Sequence, residues 1–297
     1  MIVRFFKFTK LTQVILAAFV SILIMAVLKN QNISSNDFGS IAILIIAFLL
    51  SLFIISKNSI LKNNQFTTLG LIFFSGVYFK TTTNLNVELS YLFLLLSIRK
   101  VYSLISEKKI SKKFIDIGCW LAVSVFLNPF NIIFLFTIFF GIYMFYRLDI
   151  LGLLKIFIGF LATILILFFC LSLTKESSFN LEYFNTFIDD FLSSLVVDNN
   201  TINNNYIHLL PVIALTIIFI IYLFKYFGSN LIERKKNFFL IIFFLNSFFL
   251  IFLINEYSIF LFFPFLITLT KIISELRINL LVEIMIIILI LINSYPF

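Results

Sequence analysis

Charge is what this chain has least of. Asp, Glu, Lys and Arg make up 12% of its 297 residues, and apolar side chains 62%. A soluble domain carries about 25% charged residues. The deficit excludes an ordinary soluble domain, because the polar stretches are too short to enclose a hydrated core of their own. Histidine is scarcer still: His208 stands alone, at the start of an apolar run, where a cap or interfacial residue is the plain reading. The two cysteines, Cys119 and Cys170, lie far apart within apolar runs. They form no CxxC and no disulfide framework, and read as small hydrophobes. No P-loop, dinucleotide fingerprint, GxSxG or HExxH occurs. No pattern names a cofactor, so the cofactor stays unknown, and none marks a metal site.

What the chain has in excess is phenylalanine, 43 residues of it, with isoleucine, lysine and asparagine. Together these are the amino-acid mark of an AT-rich genome. The phenylalanines therefore read as packing and lipid contact, not as a pigment site. The net charge of +8 is spread over loops between apolar runs, which excludes a nucleic-acid face and leaves the lipid bilayer as the evident partner.

The opening, MIVRFFKFTKLTQVILAAFVSILIMAVLKN, places Arg4, Lys7 and Lys10 before an apolar run from Leu11 to Leu28. That run is longer than a signal-peptide core and no small-x-small cleavage site follows, so it reads as an uncleaved first span. Further apolar segments fall at about 41–56, 67–79, 87–98, 114–127, 132–146, 152–174, 208–224, 237–254, 258–270 and 279–295. Segments 87–98 and 114–127 are short for a bilayer and need their flanks, a thinned bilayer or a re-entrant path. The expectation is an all-α polytopic transmembrane bundle, a single integral membrane domain over 1–297, with about eleven spans, give or take about two. With the N-terminus inside, only Lys29, Lys80 and Lys175 fall on the outer side. A miscounted span would flip every later loop, so the segregation predicts an N-in, C-out protein of the bacterial inner membrane.

In that topology Asn128-Pro129-Phe130-Asn131 is the tip of an outer hairpin. Proline cannot donate to a helix ladder and biases Asn128 away from helical geometry. Asn131 is placed to cap the next helix. The outer side also collects Asp37, Asn84, Asn86 and Glu88, and a loop over 175–207. Within that loop Leu181, Phe184, Phe187, Ile188, Phe191, Leu192 and Leu195 recur at helical spacing, predicting an interfacial amphipathic helix. The Asp189-Asp190 doublet reads as its solvated face, since helical neighbours point about 100° apart. Glu256 reads as a loop tip. On the inner side RKVYSLISEKKISKK is the most basic stretch, explained by anionic headgroups. Asp116 is spaced to pair with Lys112 or Lys113 along one helix.

The basic N-terminus running into MIVRFFKFTKLTQVILAAF, with LSYLFLLLSIRKVYSL and KKFIDIGCWLAVSVF, resembles a family of bacterial polytopic membrane proteins known only as a domain of unknown function. Some members carry a carotene monooxygenase label. A lone His208 argues against it, since carotenoid oxygenases hold iron with several histidines. The stretch ELSYLFLLLSIRKVYSLISEKKISKKFIDIGCWLAVSVFLNPFNIIFLF also looks like a segment of the polyprenol-phosphate-dependent GT-C glycosyltransferases. That resemblance implies a polyprenyl-linked sugar donor and an outer-face site with an acidic base in the first outer loop, the position of Asp37. Glu88, Asn128 and Asn131 would then orient substrate. The long first loop and acidic doublet of many members are missing here. The competing expectation is a non-catalytic membrane subunit or scaffold of an envelope complex, with another membrane subunit as partner.

Overall fold

The computed structural model describes residues 11–28, 35–61, 66–78, 84–146, 149–174, 230–254 and 258–275. Among them every regular element is helical. In chain order these are α1 (Leu11–Leu28), α2 (Ser35–Lys57), α3 (Thr67–Tyr78), α4 (Leu85–Ser103), α5 (Ile110–Leu127), α6 (Phe134–Phe145), α7 (Ile150–Thr174), α8 (Leu231–Ile254) and α9 (Phe262–Glu275). Single 3-10 turns cover Leu104–Ser106, Pro129–Ile133 and Ser258–Leu261. Three stretches are long and apolar enough to cross a bilayer: Asn36–Lys57, Leu85–Ser106 and Ile150–Cys170. The apolar segments 208–224 and 279–295, the amphipathic stretch of loop 175–207, His208 and Glu256 lie outside the described residues.

The short fourth segment gains its length from its flank: α4 runs on through Arg99 and Lys100 to Ser103. The chain then turns through Glu107 and Lys109, both in the left-handed region at φ 48° and 50°. Such values are uncommon for residues with a Cβ, and here they let α5 start at once.

The chain divides into two compact units, the boundary falling after Glu88 in α4 and the second unit ending at Asn203, with a small excursion at Phe252–Ile254. In the first unit α3 packs against α1 and α9. Its centre is aromatic: the Phe74 ring sits 4.8 Å from Phe262 and 6.0 Å from Phe265, and Phe48 lies 6.4 Å from Phe262. Polar ties hold its lysine-bearing end. Lys236 Nζ donates to the carbonyls of Asn58 at 2.7 Å and Ser59 at 3.1 Å, just past the C-terminus of α2. This satisfies acceptors that a helix end leaves over. Burial lowers the Lys236 pKa below the ordinary lysine value, with Glu233 opposing. Lys271 Nζ donates to Asn237 Oδ1 at 2.8 Å, tying α9 to α8.

In the second unit the dominant contact is α5 against α7. Two glycines set its closeness. A Cβ on Gly118 would stand 2.1 Å from the Ile156 carbonyl oxygen, and one on Gly159 would stand 2.5 Å from that of Ile115. Neither gap admits a methyl group. Lipid tails are as apolar as leucine, so helices gain little by hiding from them. Close backbone approach over small residues supplies the attraction instead. Between α4 and α5, Ser97 Oγ donates to the Ile117 carbonyl at 3.2 Å, and Lys100 is ion-paired with Asp116. The expected pairing of Asp116 with Lys112 or Lys113 is therefore corrected. Lys100 reaches across from the neighbouring helix, while Lys113 turns back to the Ser103 carbonyl and Ser106 Oγ.

Candidate functional site

Two polar clusters hold the four residues singled out in the sequence, one in each unit. In the first unit Asp37 occupies the first turn of α2 and Glu88 the first turn of α4. Both positions favour a carboxylate, because the leading turn of a helix carries unsatisfied amides and the positive end of the macrodipole. Asn84 prepares the start of α4: its Oδ1 accepts from the Asn86 amide at 3.1 Å, and its carbonyl accepts from the Glu88 amide at 3.1 Å. That is an N-cap arrangement. Gly39 lets the starts of α2 and α4 approach, since a Cβ there would stand 2.8 Å from Leu85 Cδ2.

Tyr78, the last residue of α3, completes this cluster. Its hydroxyl donates to Glu88 Oε1. Ser40 lies near the phenol, its Oγ donating to the Asn36 carbonyl at 3.1 Å, and Asp37 lies within electrostatic reach of the phenol oxygen. Asp37, Glu88 and Tyr78 are each no more than 2% exposed, and Ser40 is fully buried. Burying a carboxylate costs several kcal/mol unless hydrogen bonds offset it, so the phenol is part of what makes Glu88 tolerable here. Neither Tyr78 nor Ser40 stands out in the sequence. The available signals are a tyrosine ending an apolar run, where a ring wants one wet end, and a serine one turn beyond Asp37.

The second cluster surrounds the hairpin tip. Asn128 ends α5 in an extended conformation, φ −146° and ψ 103°, as a residue before proline should. Pro129 opens the 3-10 turn, where its missing amide costs nothing. Asn131 sits inside that turn and is fully buried. Its Nδ2 donates to Ser124 Oγ at 2.7 Å, Ser90 Oγ at 2.9 Å and the Ser124 carbonyl at 3.4 Å. Its Oδ1 accepts from Asn128 Nδ2 at 3.3 Å. Ser124 Oγ in turn donates to the Ser90 carbonyl at 2.8 Å. The expected capping role of Asn131 is thus corrected: neither the 3-10 turn nor α6 has a side-chain cap. The turn begins before Asn131, so the amide faces back to the seam of α4 and α5 and not forward along α6.

Asp37 and Glu88 are thereby brought to one phenol in the first unit, while in the second Asn131 is brought to the pair of Ser90 and Ser124, and Asn128 to Asn131. No group of three or more His, Cys, Asp or Glu side chains fit to hold a metal ion occurs among the described residues. Cys119 and Cys170 are free thiols.

Three helices long and apolar enough to cross a bilayer mark a helical membrane protein, with the carboxyl groups of Asp37 and Glu88 buried at two helix starts. The chain belongs to a family of unknown function, DUF6427, whose profile matches residues 5–295. Neither a curated protein nor a solved structure matches it.

Proposed function

We propose that this is a multi-pass protein of the bacterial inner membrane and a reduced GT-C-like module acting on polyprenyl-linked envelope glycans at the outer face. One observation carries the reading: Asp37 and Glu88 are buried around Tyr78, and only Lys236 joins them among the charged residues described as buried. Ionisable groups within membrane segments are costly and are kept where they act. In this reading Asp37 is the base. It takes the proton of an acceptor hydroxyl as that oxygen bonds to the sugar's anomeric carbon. The bond from that carbon to the polyprenyl phosphate oxygen breaks, and the phosphate leaves with the electron pair. Glu88, steadied by Tyr78, orients the substrate. Asn128 and Asn131 belong to the other unit, where the Asn131 amide is engaged with Ser90 and Ser124 and the Asn128 amide with Asn131, so their hold on substrate would act through the turn they shape.

The test is Asp37→Asn in cells, with the purified variant checked for unchanged melting. General-base loss lowers the rate by about 100-fold or more, so the envelope glycan made by this route should collapse. A normal glycan with a folded Asp37→Asn protein would sink the enzymatic reading.

A second reading, a non-catalytic subunit or scaffold, is favoured by α7, since only 11% of its spanning window is buried. Co-purification in mild detergent separates the two. A stoichiometric protein partner lost on substituting Leu165 and Phe169 supports the scaffold, and a retained polyprenyl lipid supports the enzyme.

A further inference from the structure

At the lysine-rich end of the second unit a pocket of about 480 Å³ opens between the N-terminal ends of α5 and α7. We propose that it binds a phosphate-bearing anion, the phosphate gripped by Lys109, Lys112 and Lys155. The three lysines line the pocket together with Ser111, Tyr146 and Asp149. Two helix N-termini face the same space, and that of α5 has no side-chain cap. Its leading amides therefore remain open to an anion. Among the described residues no ion pair or hydrogen bond engages the ammonium groups of Lys109 or Lys112. Asp149, the one carboxylate among the described lining residues, makes no ion pair with them. Asp149 instead starts α7, its Oδ1 accepting from the Leu151 amide at 3.4 Å and its carbonyl from the Leu153 amide at 3.1 Å. Lys155 Nζ donates to Ser111 Oγ at 2.8 Å, which fixes the two helix ends at one spacing. The floor is apolar: Phe114 meets Tyr146 edge-on at 5.8 Å and fills the space over Gly152.

Three cations against one carboxylate, above an aromatic floor, suit a phosphate ester with an apolar continuation, or a free phosphate. General attraction of a basic loop to an anionic surface would treat all its lysines alike. A built site would not. Lys108 lies beside the pocket in sequence, is exposed, and does not line it, so it serves as the charge-matched control.

The experiment uses the full-length protein in neutral detergent, with Lys112→Gln, Lys155→Gln and Lys108→Gln variants of matched melting temperature. One arm titrates inorganic pyrophosphate calorimetrically. The other counts phosphatidylglycerol molecules retained in native mass spectrometry, with a neutral diacylglycerol as control. Loss of one charge-assisted contact should weaken binding by about tenfold or more for each pocket variant, with Lys108→Gln unchanged within about twofold. That pattern in the lipid arm names a headgroup site, and in the pyrophosphate arm a soluble ligand. Equal loss in all three variants, or no binding in either arm, overturns the proposal.

Discussion

A buried carboxyl group reports on its neighbours. Glu88 is 1% exposed and accepts from Tyr78. Tyr78→Phe removes that donor while keeping the ring that stacks 6.1 Å from Phe74. The expected cost is about 1–3 kcal/mol, read as a lower melting temperature in detergent. Glu88→Gln alone should also destabilise, and the double variant should lose less than the sum of the two. Strict additivity would mean that the pair is not coupled. Asn131→Leu removes the amide that donates to Ser90 and Ser124 and accepts from Asn128, and should cost a similar amount or more, because four bonds go at once. The sequence exposes half of this logic. Asp37, Glu88 and the Asn-Pro-Phe-Asn tip are visible as polar residues in an apolar chain. Their partners are not. Ser90 lies 41 positions from Asn131, and neither spacing nor propensity links residues on different helices. Asn131 read as a cap because caps are local, whereas its side chain turns back to Ser124 on the preceding helix and reaches Ser90 on α4.

At the scale of the element, helix crossings turn on single atoms. Gly118→Ala places a methyl group against a backbone oxygen that cannot rotate away, so α5 and α7 must separate. A loss of roughly 2–4 kcal/mol is expected. Gly70→Ala is the contrast, since its Cβ would meet Leu266 Cγ at 3.5 Å, an ordinary contact. It should be neutral or gain up to about 1 kcal/mol from helix propensity. Equal effects of the two in a melting experiment would refute the crossing geometry. Helices were the legible part of this fold. The apolar runs at 11–28, 67–79 and 152–174 match α1, α3 and α7 within a residue or two, because hydropathy registers length directly. The basic loop was less legible: α4 extends into it on Arg99 and Lys100, and Asp116 chose Lys100 over its own helix. A wheel shows which residues share a face, not which helix will meet them.

For the whole molecule, sidedness is the quantity on which the proposed chemistry rests. Helix α5 is 18 residues long, which at 1.5 Å per residue is about 27 Å and nearly the hydrocarbon thickness. Under the proposed N-in, C-out topology its two ends lie on opposite sides of the bilayer. In cells, Pro129→Cys should react with an impermeant maleimide from outside, and Lys109→Cys only after permeabilisation, both in a background lacking Cys119 and Cys170. The reverse pattern would invert the topology and move Asp37 and Glu88 to the cytosolic side. The count of spans was the least legible feature. Length and composition single out three crossing helices among the described residues. Shorter apolar helices such as Thr12–Ala26 and Ile259–Ile273 would need their flanks or thinner lipid to cross, and hydropathy alone does not decide between crossing and packing inside.

The polar residues of α4 have a consequence for biogenesis. This helix bears Glu88, Ser90, Ser97, Arg99 and Lys100, and charged residues resist partition from the translocon by about 2.5–3.5 kcal/mol each at mid-bilayer, less near the ends. This segment is the least apolar of the three helices long enough to cross a bilayer, while α2 and α7 are the more apolar. Its ties to α5 through Ser97 and Lys100 offset that disadvantage, so its insertion should depend on a neighbouring helix more than that of α2 or α7.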